Sequence, residues 1–277
     1  MDIRTLLAIF HSEGDAPRLL DFALPFASRH QSHLIGLHAE ALPVVLATPM
    51  EGPFLAVTND MEHEAAERHA RLRDMVEERA RVEGVSLEWR GFDSISGDSA
   101  VSGIDSARSA DLVVVLQNDP KGIAAADLET LLFHSGRPVL FVPHAYTRNG
   151  ATFQKVVIAW NGSKESARAA FDALPLLKEA GSVEILTIDA PDGGGSGGKD
   201  GTAIATALAR HGLDVTIMAR QSGKMAEADI LNAAIMESGA DLLVMGAFGR
   251  SRLAEFVFGG MTRSVLQSMT VPTLMSR

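Results

Sequence analysis

The stretch "PDGGGSGGKDG", residues 191–201, contains G-x-x-x-x-G-K from Gly193 to Lys199. That spacing is close to the loop whose backbone N–H groups and lysine grip phosphates in many nucleotide hydrolases. Three features argue against that chemistry here. Asp200 stands where a Ser or Thr hydroxyl would meet magnesium, and its charge would oppose a phosphate. Gly201 delays the helix that should start directly behind the lysine. The apolar run before the tract is also the second of its repeat, where such a loop normally follows the first. A tract so rich in Gly and Ser reads as flexible connecting chain, a hinge.

A second stretch has better chemistry. "MGAFGRSRLAEFVFGGMTRSVLQ", Met245–Gln267, leaves an apolar run at Gly246, reaches Gly249, and opens a helix at Gly259, Gly260, Met261 and Thr262. Glycine lets a backbone approach a ligand closely. The free N–H groups and dipole of a helix start attract an anion. Thr262 offers a hydroxyl, and Arg250, Arg252 and Arg263 offer positive charge. The alternative is that Gly246 and Gly249 shape a surface turn while Gly259 and Gly260 merely begin a helix.

Other reactive residue types lack a pattern. The nine histidines show no metal-ligand spacing, so a catalytic metal is not expected. Ser12 and Ser163 follow apolar runs without a G-x-S-x-G context, which leaves serine catalysis unsupported. Trp160 can stack on a base or fill the core. The apolar segment Leu42–Val57 can line a pocket, face a partner or pack on its own domain.

These residues sit in a chain that repeats itself. "IRTLLAIF" (3–10) has its counterpart in "QKVVIAW" (154–160), "SADLVVVL" (109–116) in "GADLLVMG" (239–246), and "RPVLFVP" (137–143) in "VPTLMSR" (271–277), in the same order. The copies join near "HAYTRNGAT" (144–152). Continuous apolar runs alternating with amphipathic stretches predict parallel strands covered on both faces by helices. In the second copy the helices are read at 164–181, 202–212, 224–239 and around 259–269. In the first, the charged stretch 61–84 reads as a solvated helix with i,i+4 ion pairs. Ligands of such sheets sit at the carboxyl ends of the strands, where the loop from Gly246 lies.

Composition narrows the function. The net charge of −10 argues against nucleic-acid binding. The absence of Cys excludes disulfides and thiol nucleophiles and fits a reducing compartment. "MDIRTLLAIFHSEGD" reads as a first strand and not as a signal peptide. No apolar run approaches the length of a membrane helix, so a cytoplasmic location is expected.

The pattern G-x2-G-x9-G-[ST] closing a half-chain of this layout resembles the signature of ATP-binding universal stress protein domains, and Gly246, Gly249 and Gly259 match its spacing. "VVIAWNGSKESARAA" is similar to that family's opening strand, which usually ends in Asp-Gly-Ser. The resemblance spans both halves and implies a tandem protein of class α/β. It would have two flavodoxin-like (adenine nucleotide alpha hydrolase-like) domains, 1–145 and 153–277, each a doubly wound parallel five-stranded sheet. It further implies that adenine and ribose pack near Ala159, Trp160, Asn161, Ser163 and Ile188. The phosphates would lie on Gly246, Gly249, Arg250, Gly259, Gly260, Met261 and Thr262. The ligand would be ATP or a related adenine nucleotide, with Mg2+ carried by the nucleotide.

Two departures stand out. Gly260 occupies the usual Ser/Thr slot, and Asn161 replaces an Asp, which keeps hydrogen bonding but loses charge. The first half has "NDPKGIAAADLETLLFHSG" in place of the glycine triad, with Asp119 repelling phosphate and Pro120 lacking an N–H. The expectation is therefore a stress-response binding and signalling module with a degenerate first domain, an intramolecular pseudo-dimer through "PVLFV" and "PTLMS", and possible pairing of whole chains. No catalytic residue is assigned, and any ATPase activity would be weak. The alternatives are a nucleotide-free interaction scaffold and a slow ATPase.

Overall fold

A computed structural model describes residues 2–41, 54–94, 96–147, 152–189, 200–249 and 260–277, with side chains in the 54–94 stretch from residue 63 onward. Most of Leu42–Val57, the glycine tract up to Lys199, part of the junction, Arg250, Arg252 and Gly259 lie outside the described residues.

The leading half runs β1 (Thr5–Ile9), α1 (Ala16–His30), β2 (His33–Ala41), α2 (Phe54–Val82), β3 (Leu87–Ser94), α3 (Ser99–Ser102), α4 (Ile104–Ala107), β4 (Leu112–Leu116), α5 (Leu128–His134) and β5 (Val139–Val142). The trailing half runs β6 (Lys155–Trp160), α6 (Lys164–Asp172), α7 (Leu174–Leu177), β7 (Ser182–Ile188), α8 (Thr202–Ala209), β8 (Val215–Arg220), α9 (Glu227–Ser238), β9 (Leu242–Gly246), α10 (Gly260–Ser268) and β10 (Thr273–Ser276).

All pairings within each half are parallel, and the two halves share one sheet of order β3-β2-β1-β4-β5-β10-β9-β6-β7-β8. Each half is therefore a five-stranded doubly wound unit. The antiparallel pair β5–β10, with Leu274 opposite Leu140, joins them at the centre. The central strands bury both faces, as in "LVVVL" of β4, because helices cover them on each side. Alternate residues divide between two cores. Leu6 and Ala8 belong to the core that also holds residues of α1, α2, α6 and α8, while Leu7 and Ile9 belong to the one that holds residues of α3, α5, α9 and α10.

The duplication extends to hydrogen bonds. The Asp111 carboxylate accepts from the Arg4 and Thr5 nitrogens, each at 2.9 Å. Asp241 accepts from Gln154 and Lys155 at 2.8 and 3.0 Å. One Asp before each fourth strand thus pins the start of the first.

Three helices differ most from the sequence expectation. α2 begins at Phe54, seven residues before the charged stretch 61–84 and within the end of the apolar segment Leu42–Val57. The stretch 164–181 breaks at Ala173, because Pro175 cannot continue the hydrogen-bond ladder, and restarts as α7. α9 begins at Glu227, behind an extended Ala226, and not at 224. Among the described residues, no helix is long and apolar enough to cross a membrane.

Candidate functional site

In each half, strand order reverses between the first and fourth strands, the place where sheets of this kind form a ligand crevice at their carboxyl ends. In the trailing half this crevice is a cavity of about 270 Å3. It is lined by Ala159, Trp160, Asn161, Ser166, Leu186, Ile188, Glu227, Met245, Gly246, Phe248, Gly249, Gly260, Met261 and Thr262.

Strand ends and helix starts build this site. β6 delivers Ala159 and Trp160, and Trp160 also packs against the core, so it lines the cavity and fills the interior at once. Asn161 accepts from the Ser163 nitrogen at 3.0 Å, across Gly162 at φ 73°. Ser163 does not line the cavity. Its hydroxyl accepts from the Ser166 nitrogen at 3.1 Å and so caps α6.

Gly246, at the end of β9, lies against the backbone of α6. A Cβ there would fall 2.5 Å from the Glu165 carbonyl carbon and closer still to the Ser166 nitrogen. Gly249 faces only the tips of Glu165 and Ser163, at 3.3 Å. Between them Phe248 adopts φ 60°, rare for a residue with a side chain. Its N–H donates to the buried Thr262 hydroxyl at 3.3 Å. Thr262 therefore fixes the turn as well as facing the cavity.

Opposite, α10 starts at Gly260 with open space around that residue. A helix start leaves N–H groups without an intrahelical partner, and Gly260, Met261 and Thr262 of this first turn line the cavity. Among the described lining residues there is no Lys or Arg. Arg263 is turned away. Its guanidinium makes a bidentate pair with Glu129 of α5, at 3.0 and 3.2 Å. Its role as a phosphate cation does not fit that placement.

Of the residues named from sequence, the cavity gathers Ala159, Trp160, Asn161, Ile188, Gly246, Gly249, Gly260, Met261 and Thr262. Arg250 and Gly259 lie outside the described residues. Sequence reasoning missed Leu186, Ser166, Met245, Phe248 and Glu227. Leu186 was legible by period two from Ile188 on the same strand face. Glu227 opens α9, and every helix of a parallel sheet starts on the same edge, which was the available signal.

The register equates Leu6 with Val156 and Leu112 with Leu242. Phe10, His11 and Leu116 are therefore the counterparts of Trp160, Asn161 and Gly246. The equivalent crevice in the leading half is filled. Phe10 is fully buried against Trp89, with ring centroids 5.9 Å apart. His11 Nε2 lies 3.3 Å from the Leu116 carbonyl oxygen, and its shielded Nδ1 has no partner. Burial pushes this imidazole below its usual range, against the opposing pull of the Leu116 carbonyl and of Asp15 and Asp98.

A larger open cavity of about 800 Å3 lies beside the end of β4. Asp98, Asp119, Asp127 and Glu129 line it, each already engaged. Asp98, Asp119 and Asp127 accept backbone N–H groups, and Glu129 holds Arg263. Four carboxylates repel an anionic tail, so the smaller cavity is the candidate. Among the described residues, no group of three or more His, Asp or Glu side chains could hold a metal ion.

Residues 152–277 match the family model described as the universal stress protein family. No curated protein matches the chain. Among solved structures, a universal stress protein from Archaeoglobus fulgidus DSM 4304 is similar over 98% of both chains, with a TM-score of 0.75 at 18% identity. A functionally unknown protein from Pseudomonas aeruginosa PAO1 is similar over 99% of this chain and 92% of its own, with a TM-score of 0.58 at 18% identity. Such identities establish a shared fold and nothing finer. The trailing half, residues 152–277, is thus a domain that matches the universal stress protein family, and the leading half repeats its fold.

Proposed function

We propose that the protein is a stress-response module that binds an adenine nucleotide, ATP with its Mg2+ ion, in the trailing domain, 153–277. The leading domain, 1–145, serves as its nucleotide-free partner in an intramolecular pseudo-dimer. The observation that carries this reading is the cavity at the β6–β9 reversal. Its walls of Ala159, Leu186, Ile188 and Met245 form an apolar slot for a flat base. Asn161 and Glu227 lie where they can meet ribose or amine groups, and the start of α10 meets the anionic end. A volume of about 270 Å3 suits a nucleoside body, with the phosphates reaching out toward Gly249 and Gly260. The sequence offers Arg250 and Arg252, outside the described residues, as cations for the phosphates. No side chain of the site is assigned as a general base, so binding and not turnover is the expected activity.

Thermal unfolding with and without Mg-ATP tests this. Ligand at a hundredfold its Kd stabilises the folded state by about 2.7 kcal/mol. Mass spectrometry of small molecules released from the freshly purified, denatured protein identifies what it carries. The filled crevice of the leading half and Gly260 in the usual Ser/Thr slot favour a second reading, a nucleotide-free scaffold. An unchanged melting curve at millimolar ATP, ADP and AMP would select that scaffold instead.

A further inference from the structure

Four contacts join the leading half to Phe248, to α10 and to Arg277 of the trailing half, and Phe248 lines the cavity. Phe248 packs its ring on Phe133 of α5, with centroids 5.8 Å apart and planes at 59°. The Arg277 guanidinium closes over the Phe133 ring at 3.1 Å from its centroid. Arg263, one residue past Thr262 on α10, makes its bidentate pair with Glu129, four residues before Phe133 on α5. Gln117, at the end of β4, donates through Nε2 to the Leu266 carbonyl of α10 at 2.8 Å and is buried.

The trailing half therefore does not hold its own cavity unaided. Phe248 sits in the left-handed region, a conformation that persists for a bulky residue only when its surroundings over-determine it. Two of its restraints lie among the described residues. The Thr262 hydroxyl receives its N–H, and Phe133 receives its ring. Removing the ring contact frees Phe248 to relax towards ordinary φ. That relaxation would move the turn between Gly246 and Gly249 and loosen the bond that ties it to α10. The leading half, whose own crevice is filled, thus keeps a use for its fifth helix.

We propose that Phe133 of α5, aided by Glu129, is a positioning residue for the trailing cavity. It holds Phe248 and the first turn of α10 in the geometry that receives a ligand, so that docking of one half sets the affinity of the other. The statement about affinity rests on the nucleotide reading above; the statement about positioning does not.

The test uses the full chain, with Phe133→Ala, Phe133→Tyr, Phe248→Ala and the Phe133→Ala/Phe248→Ala double variant. Phe133 is partly exposed, so truncation should leave the protein folded, and a circular dichroism spectrum checks this. Two readouts are taken: Mg-ATP affinity by calorimetry, and amide hydrogen exchange of 246–249 and 260–264 without nucleotide. Phe133→Ala should bind about fivefold more weakly, the scale of one aromatic pair, and Phe133→Tyr should stay within about twofold of the parent. The double variant should bind no more weakly than Phe248→Ala alone. Exchange at 246–249 and 260–264 should quicken in Phe133→Ala while that of 183–187 in β7 stays unchanged. Parental exchange in Phe133→Ala overturns the proposal, as does an additive double variant. Quickened exchange in a protein that binds no Mg-ATP leaves the positioning intact and sinks only the nucleotide reading.

Discussion

Gly246→Ala adds one methyl group where the start of α6 already touches β9. The new Cβ would lie 2.5 Å from the Glu165 carbonyl carbon and 2.9 Å from the Glu165 Cβ, with the Ser166 nitrogen nearer still. Ordinary contact begins near 3.4 Å, so the helix must retreat by about 1 Å. The obstacles are backbone atoms, which cannot swing aside as a side-chain tip can. Overpacking of this kind costs roughly 1–3 kcal/mol, and a backbone obstacle places it at about 3 kcal/mol. For a chain of this size that is a fall in Tm of about 6–12 °C.

The assay is thermal unfolding followed by circular dichroism, with two controls. Gly249→Ala meets only the ends of Glu165 and Ser163, which can shift, and should change stability by no more than about 0.5 kcal/mol. Gly260→Ala meets nothing within 4 Å and should be neutral or stabilising by up to about 0.5 kcal/mol, as it restricts the unfolded chain. A Gly246→Ala protein melting within about 2 °C of the parent would refute the claim that this glycine serves helix–strand packing.

Asp111→Ala and Asp241→Ala each strip two backbone N–H groups of their acceptor and should each cost about 2 kcal/mol in urea unfolding. A large effect in one half and none in the other would break the equivalence of the two copies. His11 is held below the usual imidazole value of about 6.5 chiefly by burial, so the unfolded chain binds the extra proton. Its contribution to stability is then full above about pH 6.5 and is lost as pH falls through the window below. His11→Gln should flatten the acid-side slope of urea midpoint against pH, and a variant with the parental slope would contradict this. Lys199→Ala should leave Mg-ATP affinity within about twofold by equilibrium dialysis, since Asp200 and Gly201 deny its loop a phosphate site. A tenfold loss would mean that the glycine tract, and not the loop after β9, grips the phosphates.

The two-copy plan was legible because each strand buried on both faces must be a short continuous apolar run, and "TLLAI", "LVVVL", "KVVIAW" and "LLVMG" leave little else for those segments to be. Gly246 was legible as a place of close backbone approach, read as approach to a ligand; the structure shows the approach to be to the backbone of α6. The lining residues Leu186 and Met245 carry no such mark, since an apolar strand residue looks the same whether it faces a cavity or a helix.

What the order of residues determined by itself is therefore local and periodic: ten strands, their covering helices, the repeat, and which half keeps small residues at the fourth strand's end. What only the tertiary structure decided depends on contacts between residues far apart in the chain. Arg263 reads as a phosphate ligand until Glu129, 134 positions earlier, takes its guanidinium. Phe248 reads as a loop residue until Phe133 of the other half receives its ring. No periodicity carries such pairings, because they arise where the antiparallel β5–β10 seam brings α5 beside α10. An ion pair or a ring stack is set by that approach and not by the neighbours of either residue in sequence.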